Sequence, residues 1–195
     1  MKKLFALLLA ALMVFSLAAC STSKNNNNSN EPVNTDKTPA EIEAAIAKAL
    51  GEGYLATVDV PEEELFTSAI GRLDLTKVKT YVAKQAVIPS VDLDSVVIAE
   101  CEEGYVDEAV ALLNESYAQT IDYIRQYPFG VAKVEGARLY KVGNTVMLII
   151  AGASYDGEDG EAEAKLAAEE YEKVDAALKD LFGSLPENLA VVPKN

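Results

Sequence analysis

The sequence predicts an α+β domain: a mainly antiparallel sheet with a β-β-α-β-β core, packed by helices, behind an N-terminal signal helix and a disordered tether. Three observations predict it. Two β-rich runs, 79–88 and 95–101, stand side by side and lead into a long amphipathic helical pattern. Two further apolar runs flank Gly143-Asn144, a pair suited to the two-residue turn of a β-hairpin. Helical patterns at 39–50 and 161–182 bracket this block. A mixed sheet, with one parallel pair across the crossover helix, is the competing arrangement.

In chain order, Lys2 and Lys3 begin a signal-like segment, and residues 4–17 are apolar but for Ser16. This run falls short of the roughly 20 residues that a permanent spanning helix needs. Leu17-Ala18-Ala19-Cys20 closes it and resembles the lipobox of bacterial lipoproteins, in which the cysteine sulfur takes a diacylglyceryl group and the chain is cut just before it. Two acyl chains hold a protein stably on a membrane, each buried CH₂ adding about 0.8 kcal/mol. The expected organisation is therefore a signal peptide at 1–19, a lipidated Cys20, a tether at 20–37 and a single extracytoplasmic domain at 38–195. Four consecutive asparagines from Asn25, followed by Ser29 and Pro32, give the tether too little apolar surface to offset the entropy of ordering. A coil of that length reaches about 23 Å.

Thr38, Pro39 and Glu41 have the layout of a capping box with proline at the first helical position. Ile42, Ala45, Ile46, Ala49 and Leu50 continue it at helical spacing until Gly51. Residues 54–60 read as a short strand or extended link. Pro61 opens a short helix to about Ile70, and 73–78 forms a turn. After the two strands, positions 106, 110, 113, 117, 121 and 124 make the most regular apolar stripe in the chain. Tyr127-Pro128-Phe129-Gly130 stops that helix. Met147 to Ile150 lacks polar alternation and belongs at the sheet centre, covered on both faces. The last helix ends at Gly183, and 189–192 return as a short edge strand. Val97, Ile98, Val110, Leu113, Tyr117, Leu148, Ile149, Ile150, Val174 and Leu178 are expected to share one core.

The run Leu73-Asp74-Leu75-Thr76-Lys77-Val78, the two strands after it, the crossover helix ending at Tyr127-Pro128 and the strand after Gly143-Asn144 resemble a lipobox-bearing bacterial lipoprotein family, catalogued as domain of unknown function 4358. The resemblance spans about residues 60–155 together with the anchor and tether. It implies an exported, membrane-tethered domain. It implies no activity, because the family has none assigned.

Composition narrows the function classes. The chain has 31 acidic against 17 basic residues; losing Lys2 and Lys3 with the signal leaves 15 basic residues and a formal charge of −16. Such a surface repels nucleic acid, and no nucleic-acid partner is expected. Histidine is absent, which removes the commonest general base and metal ligand. With Cys20 lipidated, Cys101 is the one remaining thiol, so no intramolecular disulfide forms. Cys101 closes an apolar strand beside Glu100, Glu102 and Glu103, which suits a small buried residue and not a nucleophile. Gly152 to Glu163 fits a calcium loop at Ser154, Asp156, Gly157 and Glu163, but Gly152 stands where the first carboxylate belongs. Ser21-x-x-Lys24 has the letters of a serine–lysine motif and lies in the tether. Tyr81, Tyr105, Tyr117, Tyr123, Tyr127, Tyr140 and Tyr155 either line a glycan or peptide groove or sit at the core margin with hydroxyls in water, the commoner arrangement. The expectation is no catalytic residue, no metal, no cofactor, lipidation at Cys20, and an envelope protein or glycan as partner. That describes a binding or interaction module of the cell envelope. A carboxylate-dependent envelope hydrolase is the alternative.

Overall fold

The structure, a computed structural model, describes residues 35–127 and 129–194. The signal segment, Cys20, Ser21-x-x-Lys24 and residues 21–34 of the tether lie outside the described residues. Among the described residues no helix is long and apolar enough to cross a membrane.

Helix α1 spans Pro39–Leu50, and the capping box forms: Thr38 Oγ1 accepts from the Glu41 backbone N–H, and Glu41 accepts from the Thr38 N–H at 2.9 Å. Short 3₁₀ turns at Glu62–Thr67, Ile70–Arg72 and Leu75–Lys77 carry the chain from β1 (Val58–Asp59) to β2 (Val78–Gln85). Strand β3 is Ser95–Cys101 and helix α2 is Val106–Ile124. A five-residue helix, α3 (Val131–Glu135), follows; the sequence pattern does not announce it. The hairpin β4 (Arg138–Val142) and β5 (Thr145–Ile150) turns at Gly143-Asn144, with Gly143 at φ +56°. Helix α4 runs Gly160–Phe182, capped by Asp159 at its start and by Gly183 in a left-handed conformation at its end.

The sheet order is β1-β2-β3-β5-β4, and every neighbouring pair is antiparallel. The parallel pair of the competing arrangement does not occur: α2, α3 and β4 bring the chain round so that β5 enters beside β3 in the opposite sense. Every residue of β5 is buried, as its unbroken apolar run requires.

The core is two cores, which corrects the expectation of one. Helices α1 and α4 cover one face, where Ile42, Ile46, Val174 and Leu178 meet Val96, Ile98, Met147 and Ile149. Helix α2 covers the other, where Leu113, Tyr117 and Ile121 meet Val97, Ala99, Leu148 and Ile150. Alternate residues of a strand face opposite ways, so Ile149 and Leu148 cannot share a core. On α2, Ala109 occupies the fully buried position and Val110 packs at its margin.

The C-terminal segment is a further correction. It runs along β4 without becoming a strand: one backbone bond joins Leu189 N–H to the Leu139 carbonyl at 2.7 Å, and the Asn188 side chain makes the next ones.

Candidate functional site

Two long connections and α3 meet at one end of the sheet. The link from β2 to β3 ends at Asp94, and the link from β5 to α4 begins at Ala151-Gly152. The pairing of Ser95 with Ile150 places these two exits side by side.

Asp94 and Lys133 form a buried ion pair there. Their side chains are 0% and 8% exposed, and Nζ lies 2.5 Å from Asp94 Oδ2. Lys133 also donates to Ser154 Oγ at 2.9 Å and to the Gly152 carbonyl at 3.2 Å, so its three donors meet three acceptors. The second oxygen of Asp94 accepts from the Gly152 N–H at 3.1 Å. Burial pushes the Asp94 carboxyl above its usual range, against the pull of the Lys133 ammonium. One carboxylate and one ammonium thus tie β3, α3 and the exit of β5 together.

The Ser154 hydroxyl is committed as well. It donates to Asp92 Oδ1 at 2.7 Å while accepting from Lys133. Its proton points at a carboxylate, so Lys133 is not placed to take it as a general base.

Behind this lock stands Glu170, which is 4% exposed. It accepts from the Ala153 N–H at 3.2 Å and pairs with Lys173. Gly152 lies against it at φ +134°, and a Cβ there would sit 2.8 Å from the Glu170 Cβ. Two tyrosine hydroxyls hold α3 from either side: Tyr171 donates to the Lys133 carbonyl at 2.8 Å, and Tyr117 to the Val134 and Glu135 carbonyls at 2.9 and 3.0 Å.

In front of the lock opens a cavity of about 350 Å³. Val91, Leu93, Ile124, Phe129, Leu166 and Ala167 line its apolar part. Asp92, Asp156, Glu158 and Glu163 supply carboxylates, and among the described residues Lys133 is the one basic residue in the lining. Glu163 accepts from the Ala132 N–H at 3.2 Å. Asp156 and Glu158 make no hydrogen bond or ion pair among the described residues. Beside the cavity Tyr123, Tyr127 and Phe129 form a half-exposed row of tilted rings, with centroids 5.1 and 6.3 Å apart. Val87, Ile88 and Val91 are exposed on the neighbouring β2–β3 link.

The opposite end of the sheet is plain. Glu100 pairs with Thr145 there, and Thr35 to Thr38 enter the domain against Glu100, Gly143 and Asn144. The length of β3 separates the two ends, about 20 Å at the usual strand rise.

The residues singled out in the sequence fare as follows. The calcium-loop set is dispersed: Ser154 serves Lys133 and Asp92, Glu163 serves Ala132, and Asp156 is on the cavity rim. Among the described residues no three His, Cys, Asp or Glu side chains converge on a cation position. Cys101 is fully buried, its Sγ 3.9 Å from the Ala99 carbonyl, and burial, with Glu100, pushes its thiol up. The tyrosine reading needs correction. Tyr105, Tyr117 and Tyr140 are buried, with hydroxyls bonded to Asp74 N–H, the α3 carbonyls and Asp175 in place of water. Tyr123, Tyr127 and Tyr155 are the ones at the cavity end. Lys133 and Asp94 escaped the sequence reading. The available signal was slight: Lys133 interrupts Val131-Ala132-Lys133-Val134, and Asp94 stands just before the apolar strand that begins at Ser95.

No protein-family model, no curated protein and no solved structure matches this chain.

Proposed function

We propose that this is a lipid-anchored, extracytoplasmic binding module, of the kind that the resemblance to the domain of unknown function 4358 lipoproteins implies. The observation that carries the reading is the position and make-up of the cavity. It is concave and largely apolar, with a few placed polar groups, as small-ligand sites are. It opens at the end of the sheet away from Thr35, where the described chain begins. Its basic residue is bound to three acceptors, and its serine proton is held by Asp92. The groups at hand bind; they are not arranged for nucleophilic attack.

The carboxylate-dependent hydrolase is the weaker reading. Asp94, the carboxylate with the raised pKa, has a fully buried side chain held by Lys133 and the Gly152 N–H. Asp92 and Glu163 are committed to Ser154 and Ala132.

Two measurements test the proposal. Cys20→Ala should move the protein from the membrane fraction to the soluble one; retention after high-salt washing would refute the anchor. On that released chain, small organic fragments should shift the amide resonances of Val91, Lys133, Tyr155 and Leu166. Shifts scattered over the surface, with none at the cavity, would remove the site.

A further inference from the structure

We infer that the cavity selects an organic cation: a small primary ammonium on an apolar stem. This rests on the reading of the cavity as a binding site and names its ligand class. An apolar wall sets a preference for hydrocarbon and says nothing of charge. The charge is set at the mouth. Among the described residues Lys133 is the one basic residue in the lining, and its ammonium already faces Asp94, Ser154 and the Gly152 carbonyl. An anionic ligand would therefore meet no available positive group and four carboxylates. A cationic head meets Asp156 and Glu158, which have no partners among the described residues, while its stem lies against Leu93, Ile124 and Leu166. Phe129 and Tyr155 stand in the same lining, and an ammonium is also attracted to aromatic rings. The net charge of −14 across the whole chain adds a field of the same sign, which raises the local concentration of cations. A bare metal ion is the wrong occupant. Histidine is absent, no three ligating side chains converge among the described residues, and the apolar wall would go unused.

The test uses the Cys20→Ala full chain and three probes of similar length: n-hexylammonium, 1-hexanol and hexanoate. Affinities are read from the amide shifts of the cavity residues at neutral pH and moderate salt. We expect hexylammonium to bind about tenfold tighter than hexanol, and hexanoate to bind weakest. The double variant Asp156→Asn, Glu158→Gln changes two exposed groups outside the packed core. It should bring hexylammonium down to the affinity of hexanol and leave hexanol unchanged. Added salt should narrow the gap in the parent and not in the double variant. If hexanol matches or exceeds hexylammonium on the parent, the ligand class is wrong while the cavity remains a binding site. If the double variant keeps the full preference, the rim carboxylates do not select, and the inference falls. If none of the three probes shifts the cavity residues, the inference falls together with the binding reading.

Discussion

The two ends of the sheet use the same strands and solve different problems. At one end β4 and β5 close through Gly143-Asn144, and the charges nearby stay in water: Lys141 reaches Asp107 with side chains 39% and 79% exposed. At the other, β3 and β5 open into long links that cannot bond to each other as strands do. There the protein buries an ion pair, two carboxylates that accept from the Gly152 and Ala153 N–H groups, and two tyrosine hydroxyls. A two-residue turn satisfies its own backbone. Long loops need side chains to do so, and the polar groups that result are what surround a cavity.

Breaking the lock should be the largest effect. Lys133→Met leaves Asp94 buried without its counter-charge and should cost about 3–5 kcal/mol in urea unfolding. Next comes Gly152→Ala, which combines a strained φ with a Cβ driven into Glu170; about 3 kcal/mol is expected from strain plus overpacking.

The tyrosines give a gentler, pH-dependent handle on the same end. Burial raises the hydroxyls of Tyr171 and Tyr117, the latter to about 12 against an ordinary 10. Below pH 10 both folded and unfolded chains keep these protons, and the contribution is fully present. Above it the unfolded chain releases them first, so stability falls by about 1.4 kcal/mol per pH unit per tyrosine. The share of tyrosinate absorbance that belongs to the buried hydroxyls should therefore appear in step with the loss of circular dichroism as pH climbs above 10. Tyrosinate forming in full while the fold persists would show these hydroxyls open to solvent.

The plain end should respond least. Gly143→Ala places alanine at a left-handed φ beside Thr35, a movable side chain, and should cost about 1 kcal/mol. Lys141→Met removes an exposed pair and should cost less than about 1 kcal/mol. Equal losses for Lys133→Met and Lys141→Met would erase the contrast between the two ends.

What was legible in the sequence was whatever depends on neighbours in the chain. Thr38 to Glu41 reads as a cap because its bonds span three residues. Gly143-Asn144 reads as a hairpin, and β3 is found at its observed bounds, because turn chemistry and apolar runs are local. The α+β class followed from the order of these elements. The two faces were latent in the alternation of Val96 and Ile98 with Val97 and Ala99, but which helix covers which face is decided by topology. Helix α3 is one turn and a fraction, too short to show a period. The lock joins Asp94 to Lys133, 39 residues apart, and no pattern within either segment names the other. The cavity therefore has no sequence signature, although Tyr155, Asp156 and Glu163, which belong to the tyrosine set and the calcium-loop pattern, stand in its lining.

The C-terminal segment beside β4 has a consequence for how the protein opens. Asn188 bonds to Leu139 N–H and the Ala137 carbonyl, and Asn114 bonds to the Leu189 carbonyl and Val191 N–H, at separations of 49 to 77 residues. The Asn188 side chain thus stands in for the missing rungs of a sixth strand beside β4, and Asn114 ties the same segment to α2. Chain segments held by a few distant bonds close late and release early, at a fraction of the global unfolding free energy. Release bares the outer edge of β4, whose inner edge stays paired with β5. An unpaired edge is a template for another chain. Self-association under mild destabilisation should thus begin with the loss of this clasp, and Asn188 is the residue on which it turns.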